Sequence, residues 1–243
     1  MLRIGLLGGT SWQSSAHYYS QLNEGVQARL GGLHSADLVL RSVDFAEIEA
    51  LQRAGDWAAL GARYEQEAAG LRAAGAEVVG ILANTMHLLY DQVARGSGLP
   101  VVHVVDVVAE AVAALGVERV AVLGTRFTMA SDLYPARLAQ RGVATLVPTG
   151  ADAVEVDRVI YEELGRGLVL DASRESYVAI IARLVEQGAQ AVVLGCTELA
   201  MLISPDDPAH SPVPVLDSTA LHVHALLDAA LAPSASALEE GAA

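Results

Sequence analysis

The chain has 243 residues, 53% hydrophobic and 18% charged, enough for one large or two modest domains with a true core. Its formal net charge of -14 argues against nucleic acid and anionic membrane surfaces as partners. All fifteen basic residues are Arg, and without Lys neither a pyridoxal-phosphate Schiff base nor a P-loop nucleotide site can form.

In chain order, short apolar runs alternate with longer amphipathic stretches. The strand candidates are RIGLLGG, LVLRSV, VVGILA, PVVHVV, RVAVLGT, ATLVP, AVVLGC and PVPVLD. Between them stand helical patterns such as AALGARYEQEAAGLRAAGA, where Leu60, Tyr64, Ala68 and Leu71 share a face. This alternation predicts an α/β fold: Rossmann-like parallel sheets flanked by helices. MLRIGLLGGT reads as a strand and not as a signal peptide, and no run reaches the length of a membrane span. A single Cys suits a reducing compartment, so a cytoplasmic protein is expected. The tail SASALEEGAA reads as frayed.

The halves also repeat one another. RIGLLGGTSWQSSAHYY overlays RVAVLGTRFTMASDLYP at an offset of 116, placing Gly8 on Gly124 and Tyr18 on Tyr134. Later, at an offset of 113, Tyr64 meets Tyr177, Leu71 meets Leu184 and Ala83 falls opposite Cys196. The pattern predicts two pseudo-symmetric lobes joined near residues 115–118. Residues 1–116 form the first, completed by a C-terminal helix at about 217–232, and residues 117–216 form the second. Parallel α/β sheets take ligands beyond the carboxyl ends of their strands, so ANTMH and GCTEL are expected to face one cleft.

Two acid/base groups on opposite faces of a small molecule suit proton removal and return at one carbon. Cys196 is a candidate for one of them, its pKa expected to fall at the N-terminus of a helix formed by TELAML. A buried, inert Cys is the competing reading. GGTS, with Gly9, Thr10 and Ser11, and GTRFT, with Thr125 and Thr128, leave equivalent strands. Each could cradle a carboxylate or serve as an ordinary helix cap. Asn84, Thr85 and Thr197 flank the two central positions, with Glu198 next in line. Gln52 is solvated unless its helix folds over the cleft. His87 could tune a proton but fits helix packing better. The remaining histidines, His17, His34, His103, His210, His222 and His224, show no metal-ligand spacing, and no metal is expected. Glu162 and Glu163 read as a charged helix face. The glycines of the first loop do not fit a dinucleotide fingerprint.

Together IGLLGGTSW, GGLHSADLVLRSVDF, ANTMH, VAVLGTRFTM, IYEELGRG, IARLVEQGAQAVVLGCTEL and PVPVLDS resemble the aspartate/glutamate racemase family, from residue 3 to about 230. The resemblance implies two α/β domains with the site between them, no cofactor, a homodimer, and an acidic amino acid as substrate. It assigns Cys196 as one of two opposed acid/base groups. It also gives Asn84, Thr85, Thr125, Thr128 and Thr197 to the amino-acid head group, and Thr10 stands where many relatives have Met. The departure is Ala83, where the family carries Cys or Thr: a methyl group holds no proton. Three explanations stay open, namely replacement of an acid/base residue to trap substrate, a natural one-base member, or another donor such as Thr85 or water. A single-Cys decarboxylase resembling arylmalonate decarboxylase and a two-lobed amino-acid-binding protein are the alternatives.

Overall fold

The computed structural model describes residues 1–232, and the tail SASALEEGAA lies outside them. The first half runs β1 (Ile4–Gly8), α1 (Trp12–Leu30), β2 (Leu38–Ser42), α2 (Phe45–Ala54), α3 (Trp57–Ala73), β3 (Val78–Ile81), α4 (Tyr90–Ser97), β4 (Val101–Val102) and α5 (Val104–Leu115). The second half begins with β5 (Arg119–Leu123), α6 (Arg126–Met129), α7 (Leu133–Ala139), β6 (Ala144–Leu146) and α8 (Gly150–Glu162). It ends with α9 (Asp171–Glu186), β7 (Ala191–Leu194), β8 (Val215–Asp217) and α10 (Ser218–Leu231).

Each half builds a four-stranded parallel sheet, ordered β2-β1-β3-β4 and β6-β5-β7-β8. The same order twice is the duplication seen in three dimensions. The apolar runs IGLLG, VVGI and AVVL are buried along their whole length, as strands covered on both faces must be. The aligned tyrosines Tyr18 and Tyr134, and Tyr64 and Tyr177, are all fully buried. Gly75 and Gly188, also aligned, both carry positive φ, at 89° and 97°, in the turns that lead into β3 and β7.

The helices that follow the last strand of each sheet cross over. Helix α5 leaves the first sheet, yet its Val104, Val105, Val108 and Val112 pack with Val120, Val122 and Val193 of the second. Helix α10 leaves the second sheet, and its Val223, Leu226, Leu227 and Ala230 pack with Ile4, Leu6 and Val78 of the first. The run PVVHVV divides differently from its strand reading. Only Val101–Val102 pair as a strand, while His103 caps α5 by accepting from Val105 N–H at 3.1 Å. Valines at spacings of three and four make VVDVVAEAVAAL helical despite their β-branching, because tertiary burial outweighs propensity.

Three buried imidazoles meet where the halves join. The His87 and His103 rings lie 4.7 Å apart and the His87 and His222 rings 5.5 Å apart. Their hydrogen bonds fix the tautomers. Val104 N–H donates to His87 Nε2, so Nδ1 carries the proton and donates to Ala83 O at 2.9 Å. Tyr18 O–H donates to His222 Nδ1, and His222 Nε2 donates to Val102 O. Burial is the main cause that lowers the three pKa values from 6.5, to about 4 for His87, about 2 for His103 and about 3 for His222.

The folded rings thus stay neutral where the unfolded chain takes up protons, so stability is full above about pH 7 and is lost as pH falls through 6.5 toward those values. The slope is on the order of 1 kcal/mol per pH unit for each imidazole. Urea midpoints at pH 7 and pH 5 check this, and equal midpoints would count against neutral burial of the three rings.

Candidate active site

Ala83 and Cys196 each stand two residues beyond a strand that ends at Ile81 or Leu194, at the carboxyl ends of β3 and β7. These two strands hold equivalent places in their sheets. Both residues line one cavity of about 260 Å³ whose walls come from both halves. Thr10, Ser11, Gln52, Asn84, Thr85, Thr125, Thr197 and Glu198 line the same cavity.

Gly9 and Thr128 do not reach it. Gly9 has φ 96°, and a Cβ there would fall 2.2 Å from Val43 O; its N–H donates to Ser15 Oγ, which leaves the turn no donor at this residue. Thr128 lies one step behind the wall. The Thr85, Thr125 and Thr128 hydroxyls form a closed group, with Oγ1 separations of 2.9, 2.8 and 3.3 Å. Thr85 is therefore held by two second-half hydroxyls, which compete with any role as a proton donor. The predicted caps are present too: Ser11 caps α1 and Thr125 caps the short α6.

The expectation for the thiol is reversed. TELAML does not form an α-helix; only Leu199–Met201 closes, as a single 3₁₀ turn. Cys196 is buried, and its Sγ donates to Glu198 Oε2 at 3.1 Å, an oxygen that also accepts from Thr197 Oγ1 at 2.7 Å. Burial, and next the Glu198 charge, push the thiol pKa well above 9.0. At neutral pH the sulfur keeps its proton.

Asn84 serves as a clamp as well as a wall residue. Its Oδ1 accepts from Tyr134 O–H at 2.6 Å and its Nδ2 donates to Ser218 Oγ at 3.0 Å. Both partners are buried and belong to α7 and α10. Asn84→Ala removes the acceptor of a buried hydroxyl, and a stability loss of about 1–3 kcal/mol is expected. A denaturant midpoint unchanged from the parent would show that the clamp carries no weight.

Helix α2 does fold over the cleft, and Gln52 is buried there. Its Nε2 donates to Met86 Sδ at 3.1 Å, while its Oε1 has no hydrogen-bond partner in the structure. Glu163 departs from its solvated reading: it is buried, accepting from Arg158 Nη1 at 2.7 Å and from Ser173 Oγ. The next residues explain why, since Leu164–Arg166 turn as a 3₁₀ segment and carry Gly165 to the cavity wall. Phe45, Met86, Ile160 and Tyr161 also line the cavity and carried no signal beyond ordinary helix patterning. Among the described residues, no group of three or more His, Cys, Asp or Glu is placed to hold a metal, and no helix is long and apolar enough to cross a membrane.

The fold and site define a duplicated α/β protein with a thiol at one strand tip, lining a cavity that both halves share. The chain matches the Asp/Glu/hydantoin racemase family over residues 7–226 and belongs to it. It is similar to a Yersinia pestis protein provisionally named an Asp/Glu racemase, at 41% identity over 95% of this chain and 100% of that one, with a TM-score of 0.86. An aspartate racemase homologue from Pyrococcus horikoshii OT3 is 32% identical over 95% and 99% of the two chains, with a TM-score of 0.80. Unliganded arylmalonate decarboxylase shares the fold alone, at 17% identity over 96% and 94% and a TM-score of 0.50.

Proposed function

We propose that the protein carries out cofactor-independent proton transfer at the α-carbon of an amino acid, with Cys196 as the acid/base on one face and no proton carrier at Ala83 on the other. The observation that supports this is that both residues line one cavity, from equivalent strand tips of the two sheets. The head group would lie among the Thr85, Thr125 and Thr197 hydroxyls, with Gln52 Oε1 free to accept from an ammonium N–H. The family and the relatives' names make aspartate and glutamate the first substrates to assay. A cytoplasmic homodimer belongs to the same reading.

With the thiol protonated, Cys196 is ready to deliver a proton to a carbanion; acting as a base requires losing that proton first. Exchange of the α-proton with solvent should therefore climb with pH through the ordinary thiol value of 9.0 without levelling there. The pH–rate profile in deuterium oxide tests this, and a plateau below 9.0 would contradict the assignment of Cys196 in this environment.

One-sided protonation also serves a decarboxylase, and the methyl group at Ala83 on the cavity wall favours keeping that reading second. Carbon dioxide release from a substituted malonate would distinguish it from α-proton exchange on an amino acid.

A further inference from the structure

Among the described residues, no Arg or His side chain lines the Cys196 cavity, and the chain contains no Lys. The acidic group on the wall is the Glu198 carboxylate, and Phe45, Leu82, Met86, Ile160 and Tyr161 supply a broad apolar surface. A neighbouring groove shares Tyr161 and holds Arg53, Arg126 and Arg158, but these guanidiniums are engaged elsewhere. Arg53 pairs with Glu49, Arg126 with Asp157, and Arg158 with Glu155 and Glu163. The imidazole closest in sequence to the Ala83 tip, His87, is bonded at both nitrogens and stays neutral.

An amino acid brings one carboxylate and one ammonium to any such site. On the wall, the Thr125 and Thr197 hydroxyls, turned from their present partners, and the unpartnered Gln52 Oε1 are the groups to meet those two. An acidic side chain brings a second carboxylate, which would enter an apolar space beside Glu198 with no cation to meet it. Burying an unpaired carboxylate is strongly unfavourable. A hydrocarbon side chain gains from the same wall in proportion to the area it covers.

We infer that the substrate is an α-amino acid whose side chain is uncharged and apolar, in place of aspartate or glutamate. The assignment rests on the proton-transfer reading above and replaces only its side chain.

The test measures α-proton exchange in deuterium oxide for both enantiomers of leucine, phenylalanine, aspartate and glutamate, using the full chain. The neutral pair should exceed the acidic pair in kcat/KM by at least about tenfold, the order of discrimination that side-chain contacts provide. Calorimetry on Cys196→Ser, which binds without turnover, should show the same preference. Faster exchange of aspartate or glutamate would overturn the side-chain assignment and leave proton transfer intact. Exchange of none of the eight compounds would bring down the proton-transfer reading and this inference with it.

Discussion

Ala83→Cys should give the protein a two-sided reaction, raising inversion of the substrate by about 10²–10⁴-fold, the contribution of one well-placed acid/base group. Residue 83 holds the position in the first half that Cys196 holds in the second, two residues past β3 as Cys196 stands two past β7, and both line the cavity. The backbone there is already fixed: Ala83 O accepts from His87 Nδ1, and the neighbouring Asn84 and Thr85 side chains bond into the second half. Ala83 lines the cavity as well as packing against the first-half core, so a sulfur atom added here has the cavity beside it. Ala83→Thr should raise inversion as well, while Ala83→Val, similar in shape and without a proton, should not. Polarimetry on each enantiomer checks the series. Inversion at the parent's level in Ala83→Cys, with α-proton exchange preserved, would mean that residue 83 does not face the reacting carbon.

Cys196→Ser should abolish α-proton exchange, again by about 10²–10⁴-fold, because an alcohol is far too weak an acid to replace the thiol as a proton carrier. The two side chains are close in size, so the fold and substrate binding should survive, and an unchanged denaturant midpoint separates lost chemistry from lost structure. Glu198→Gln gives the complementary result. The Glu198 charge helps raise the Cys196 pKa, so removing it should move the pH profile of exchange downward while the thiol remains buried. Exchange that persists in Cys196→Ser would place the proton carrier elsewhere on the wall.

The sequence carried the frame of this site because its information is periodic and local. Eight apolar runs marked the strands, and aligned residues such as Tyr64 and Tyr177 exposed the duplication that aligns Ala83 with Cys196. What it did not carry depends on tertiary placement. The valine-rich face of α5 is equally compatible with either sheet, and only the folded chain shows it on the second. The direction of the Cys196 shift turned on whether TELAML would form a helix and on where Glu198 would point; the 3₁₀ turn and the carboxylate contact reversed it. Gln52 and Tyr161 sit on helices with ordinary surface patterns, and their entry into the cavity follows from how α2 and α8 cover the cleft. That no Arg side chain would line the cavity was equally invisible, since every one looks alike until its partner is seen.

The most direct measurement follows one turnover in deuterium oxide with each enantiomer of the faster-exchanging amino acid, separating products by chirality and mass. With a proton carrier on a single face, label should enter one enantiomer with its configuration kept, and the other should stay unlabelled. Labelled antipode appearing as fast as labelled starting enantiomer would contradict the account.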